Sequence, residues 1–260
     1  MNLYKRDFTT PISRVEREAL TAENAFQQQS GYKRVGDAPR FSHPDEEVRD
    51  FLWHITSMFP NNHLNPITVK SLDLEAEAAA YQVALNRATE QSIQTYIKGN
   101  KKWFIPASLF KDYNFGHHGA YLFPEQQFGA EYRADYTLLG ENSDGYNIVF
   151  VEFESINVDF LITTSNTETE YVRKGITQIR DWKRWLDSNR KYFLDSCGFS
   201  QRGIDIPTSR IFYALVVSRR ARLNDTAKAL RSQMAFETPN LKIVSYDRLY
   251  DNVLKLSNGY

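Results

Sequence analysis

Cys197 is the only cysteine in the chain. That excludes an internal disulfide framework and fits a reducing cytoplasm, where the chain is expected to reside. Long apolar runs are missing too. The longest, "IVFV" and "FYALVV", fall far short of the roughly 20 residues that cross a bilayer, so no membrane partner is expected. The N-terminus, "MNLYKRDFTTPIS", lacks the apolar core of a signal peptide. Charge of one sign is absent, because 32 basic residues balance 32 acidic ones. Neutrality removes the global field that many nucleic-acid-binding proteins carry. No cysteine or third histidine stands at ligand spacing from His117 and His118, which marks that pair as structural or exposed rather than zinc-binding.

Core-forming residues, by contrast, are plentiful. Hydrophobic side chains make up 42% of the chain and aromatics 14%, enough for a packed interior. Charge is segregated locally. Basic clusters stand at "KGNKK", "RDWKRW" and "SRRAR", acidic ones at "HPDEEVRD", "LDLEAEA" and "NTETE". Each cluster reads as a solvated helix face or as one side of a phosphate-binding surface. On the second reading Lys183, Arg184, Arg219 and Arg220 contact phosphates.

The chain is read as an N-terminal accessory segment, 1–85, mainly helical, ahead of an α/β domain over 86–260. "SRVEREAL" starts one helix. In "HPDEEVRDFLWHITSMFP", Pro44 suits a first turn, and Val48, Phe51, Leu52, Ile55 and Phe59 share a face. A helical stretch then runs to Gly99-Asn100, with Glu90, Ile93 and Ile97 on one side. "FKDYNFGHHGAYLFPEQQFG" reads as a loop. "AEYRADYTLLG" and "YNIVFVEFES" read as strands joined by an Asp-Gly hairpin turn. A confident helix follows in "NTETEYVRKGITQIRDWKRWLDSN", with Val172, Ile176, Ile179 and Leu186 in one stripe. Gln178 stands as a lone amide among Tyr171, Gly175, Trp182 and Trp185. Gly175 weakens that helix, which points to close approach of its backbone to a sheet. "RIFYALVVS" and "LKIVSY" are further strands, separated by the helix "ARLNDTAKALRSQM", and "DRLYDNVLKL" is a last short helix.

The strand "VEFES" ends on two carboxylates that share one face, Glu152 and Glu154. With the hairpin turn at Ser143-Asp144, residues whose numbers sum to 287 oppose one another, and Asp135 lands opposite Glu152. Three carboxylates then converge, and like charges brought together need compensation. A hard divalent cation would supply it. An edge strand with exposed acids is the other reading.

In their order these segments resemble the PD-(D/E)XK nuclease core, and within it the Shedu anti-phage nucleases. "ATEQSIQTYIKGNKKWF", "YRADYTLLG", "NIVFVEFES", "RKGITQIRDWKRWL" and "LVVSRRARL…LKIVSYDRL" carry the resemblance, over roughly residues 85 to 255. It implies a restriction-endonuclease-like central mixed β-sheet flanked by helices, and a Mg²⁺-dependent DNA endonuclease in which Mn²⁺ substitutes. It also implies DNA, in double-stranded form, as partner, and a homo-oligomer. Asp135, Glu152 and Glu154 would bind metal. Glu154 would also be the general base, Gln178 would position water or phosphate, and Glu90 would be an outer acid. Two departures stand out: Glu154 replaces the lysine of Glu-x-Lys, and Ala134 replaces the proline before Asp135. Ser218 stands where a glycine commonly precedes the arginine. A module that keeps the fold but only grips DNA or a partner protein is the alternative.

Overall fold

The computed structural model describes residues 13–29, 49, 51, 52, 54, 57–59, 61–64, 69 and 72–260. The chain separates into two compact units, 1–65 and 66–260. In the first unit, helix α1 spans Arg14–Gln29. A reciprocal cap opens it: Ser13 N–H donates to Glu16 Oε2 at 2.7 Å, and Glu16 N–H donates to Ser13 Oγ at 3.3 Å. Residues 49, 51, 52 and 54 are helical. Phe51, Leu52 and Phe59 are buried, while Pro44, Val48 and Ile55 of the expected apolar face lie outside the described residues.

The second unit begins with helices α2 (Leu74–Leu85) and α3 (Glu90–Gly99). The sequence reads there as one helical stretch, but Thr89 divides it. Its side chain accepts from Ser92 N–H, and the Ser92 hydroxyl accepts from Thr89 N–H, so α3 has its own capped start. A short helix, α4 (Phe104–Ala107), follows.

The central sheet has strand order β1-β2-β3-β6-β7. Its members are β1 (Gly119–Phe128), β2 (Tyr132–Asn142), β3 (Gly145–Phe153), β6 (Ile211–Val216) and β7 (Leu241–Val244). The first two pairings are antiparallel and the last two parallel. β4 (Leu161–Ile162) and β5 (Thr167–Glu168) form a separate ribbon. Helix α5 (Glu170–Ser196) crosses from β3 to β6, α6 (Asp225–Glu237) from β6 to β7, and α7 (Tyr246–Val253) closes the unit. This is the mixed sheet with flanking helices expected of a restriction-endonuclease-like core.

β1 is an addition, since the sequence there reads as a loop. Pro124 and the mixed polarity hide it, and both are tolerable because β1 is an edge strand. Its Glu125 has φ +54° and interrupts the pairing opposite Asp135.

α5 packs Val172, Ile176, Ile179, Trp182 and Leu186 into the core, where Trp182 stacks on Phe128 at 5.3 Å. A Cβ at Gly175 would sit 2.5 Å from Leu215 Cδ1 and 3.0 Å from Glu154 Cγ. The expected close approach is real, and it sets α5 directly against the end of β3. On the opposite sheet face, Phe153 packs against Tyr136 and Tyr246. Among the described residues, no helix is long and apolar enough to cross a membrane.

Candidate active site

The hairpin register is the one the turn dictates. Asn142 pairs with Gly145, Leu139 with Ile148 and Tyr136 with Val151, so Asp135 and Glu152 come next as opposed neighbours. There the ladder gives way to side-chain bonding: Phe153 N–H donates to Asp135 Oδ2 at 2.8 Å. Glu152 pairs with Leu215 of β6, and Glu154 N–H donates to Val216 O at 2.9 Å. Both glutamates are buried, Glu154 almost completely. They are not the exposed acids of an ordinary sheet edge.

Burial without full compensation shows in the protonation equilibria. Desolvation, with Asp135 and Glu154 nearby, pushes the Glu152 carboxyl up to about 10. Burial raises Asp135 as well, opposed by the Phe153 N–H. Glu154 is raised by burial and held back by Lys174. Glu90, first residue of α3, is raised by burial and then by Glu154. The four acids therefore share one electrostatic site, and Glu152 carries its proton at neutral pH.

Lys174 was not anticipated. Its Nζ lies 2.9 Å from Glu154 Oε1, although the lysine itself is mostly exposed. This bond raises the ammonium above its usual value. Gln94, one turn beyond Glu90, also went unremarked: it receives the Tyr136 hydroxyl at 3.3 Å and hydrogen-bonds Asp135. Spacing of i, i+4 from Glu90 could have found Gln94. Lys174 had only the weaker signal of standing one turn before Gln178 on the same helix. Lys174 and Gln178 line a cleft of about 720 Å³ beside the acids, with Arg133, Tyr132 and Trp182.

The donor set tests whether a divalent ion fits. Glu152 Oε2 and Glu154 Oε2 are buried without a hydrogen-bond partner, and carboxylate oxygen suits a hard cation. Among the described residues, however, no three Asp, Glu, His or Cys side chains are grouped closely enough to hold one ion. Within the cluster Glu154 faces Lys174, whose Nζ lies 2.9 Å from its Oε1. Asp135 and Glu152 remain as a two-carboxylate site suited to an ion that keeps several waters.

Residues 87–250, more than half of the chain, match the family described as "Shedu protein SduA, C-terminal". The chain belongs to the Shedu family. Among solved structures the Shedu chain is similar to the restriction endonuclease FokI bound to DNA, at 11% identity and TM-score 0.34, over 73% of this chain and 31% of that one. A second FokI structure gives 11% and 0.33, over 73% and 32%. The Shedu chain thus spans about a third of the length of these structures. No curated protein matches it.

Several segments within the matched region acquire physical roles here. The Tyr246 hydroxyl of "SYDRL" donates to the main-chain carbonyl of Glu154 at 2.6 Å, bracing the strand end. Asp247 accepts from Arg219 Nε and Nη2 at 2.9–3.1 Å and from Arg220 N–H at 2.6 Å. Arg219 is only 12% exposed as a result, so it locks the basic turn to α7 rather than facing solvent. Arg220 pairs with Asp251 and Arg184 with Asp181, both remaining largely exposed. Ser218 has φ +63°, the left-handed region that favours glycine. Its hydroxyl donates to Val158 O at 2.6 Å, which helps hold the turn in that conformation.

Proposed function

We propose that this Shedu chain is a metal-dependent DNA endonuclease of anti-phage defence, hydrolysing phosphodiester bonds at Asp135, Glu152 and Glu154. The observation that carries the reading is the opposed pair of half-buried Asp135 and buried Glu152, with an unsatisfied oxygen on Glu152, inside the region that matches the family. Asp135 and Glu152 would hold Mg²⁺ or Mn²⁺. Such an ion, when bound, acidifies a coordinated water and neutralises charge that develops on the phosphate.

The chain's own groups do the rest. Phe153 N–H fixes one Asp135 oxygen, so the other is aimed. Lys174 places a positive charge beside Glu154, in the space where relatives carry a strand lysine. Glu154, oriented by Lys174 and Tyr246, accepts a proton from the attacking water. Gln178 lines the adjoining cleft and would position water or phosphate. Glu90 tunes the field from α3. Lys183, Arg184 and Arg220 would meet the DNA backbone.

The test is relaxation of supercoiled plasmid DNA in Mg²⁺. Wild-type protein should nick it, chelator should stop the reaction, and Glu152→Gln should lose about 10²-fold or more in rate. Nicking that survives Glu152→Gln would reject the site. DNA binding with no cleavage would favour the second reading, a non-catalytic DNA-binding module.

A further inference from the structure

β7 is the outer strand of the sheet, and a cleft of about 570 Å³ follows its open side. Five cations line it, Arg220, Lys228, Arg231, Lys242 and Arg248, against one carboxylate, Asp112. Three of the five are neutralised: Arg220 by Asp251, Lys228 by Asp225, and Arg248 by Asp112, with Nε 2.9 Å from Oδ1. Asp112 is fully engaged, since Asn252 also donates to it at 2.9 Å.

The other two cations differ. Among the described residues, no carboxylate pairs with Arg231. Lys242 donates to the main-chain carbonyl of Asp112 and stands 4.3 Å above the Tyr113 ring; the Asp112 carboxylate acts on it electrostatically without forming a salt bridge. Both are half-buried. Burial draws both below their usual values, with Asp112 partly offsetting the effect at Lys242. The fold therefore carries two partly desolvated cations without a salt-bridge partner among the described residues on one void, with Leu241 and Ile243 as apolar walls.

We propose that this cleft binds a phosphorylated small molecule of nucleotide size. A phosphate dianion would satisfy Arg231 with paired N–H donors and Lys242 as a point charge. The apolar walls suit the non-ionic part of such a ligand. The volume lies within the range of small-ligand sites, about 300–1,000 Å³. An acidic peptide added as a strand fits less well, because β7 offers only Leu241–Val244 for pairing. A DNA duplex would want cations in an open row, whereas these come from α6, β7 and α7 onto one recess. The site shares no residue with the carboxylate cluster and only Arg220 with the proposed DNA-backbone contacts, so binding here is tested separately from cleavage.

The test titrates the full chain with a fluorescent ATP analogue, then competes it with ATP, AMP, pyrophosphate and a short DNA duplex. Saturable one-to-one binding is expected, displaced by ATP and pyrophosphate. Arg231→Gln and Lys242→Gln should each weaken it by about ten-fold or more, the scale of a lost charge-assisted hydrogen bond. Glu152→Gln should leave it unchanged. Ser232→Glu, at an exposed position lining the cleft, adds repulsion without touching the core and should also weaken binding. No saturable binding, or binding untouched by all three cleft variants, would overturn the proposal. So would displacement by the duplex alone, which would make the cleft part of a DNA track.

Discussion

Lys174 Nζ stands 2.9 Å from Glu154 Oε1, joining the middle of one wall of the cleft to the end of β3. A helix thus delivers an ammonium to the carboxylate that closes the strand. Lys174→Met should slow plasmid nicking by about 10²-fold, the scale of a lost charge stabiliser at a reacting group. The decisive variant is the exchange: Lys174→Glu and Glu154→Lys should each be poor, and the double variant should regain at least about ten-fold over the worse single. A double variant no better than its parents would show that the two charges do not act as a pair.

Glu152 gives a pH signature. Its folded-state value near 10 exceeds the ordinary 4.5, so the folded chain binds the extra proton between those limits. Stability is then greatest below about pH 4.5 for this group and falls as pH rises toward about 10. In chelator, thermal melts should show Glu152→Gln gaining on wild type steadily from pH 5 to pH 9. A constant difference across that range would contradict the buried, protonated carboxyl.

The same proton must leave when an ion arrives. Calorimetric titration with Mg²⁺ at pH 7 in buffers of different ionisation enthalpy should reveal about one proton released per ion bound. Glu152→Gln should abolish the release. Binding with no buffer dependence would separate the ion from Glu152.

Gly175 offers a test of packing. Alanine favours a helix over glycine by about 1 kcal/mol, yet a methyl here would strike Leu215 and Glu154. Overpacking of this kind costs about 1–3 kcal/mol, so Gly175→Ala should lower stability on balance and slow nicking as Lys174 shifts. A stabilised, fully active variant would mean that α5 does not rest on Leu215.

The arginines of the basic turn should separate by role. Arg219→Ala strips Asp247 of a two-pronged partner and should cost about 1–3 kcal/mol of stability. Lys183→Ala and Arg184→Ala should leave melting unchanged and instead reduce the salt dependence of DNA binding by about one unit each. The reverse pattern would return Arg219 to the DNA surface.

Local chemistry was legible in the sequence. The Asp-Gly turn fixed the register that sets Asp135 against Glu152, and a glycine inside a helix announced the contact at Gly175. β1 was not legible, because Pro124 and mixed polarity mask an edge strand that needs no full hydrogen-bond ladder. Nor were the pairs Lys174–Glu154 and Arg219–Asp247 legible. Each joins residues distant along the chain, and only the packing of α5 and α7 on the sheet brings them together.

The lysine that answers Glu154 has consequences for tracing descent. A pattern search that insists on lysine two places after Glu152 would discard this chain as a decayed relative. In three dimensions an ammonium still meets the end of β3, carried by a residue twenty positions later on a different element and facing one carboxylate more. Lineages of this fold are therefore better sorted by which atoms meet at the end of β3 than by which letters follow one another along it.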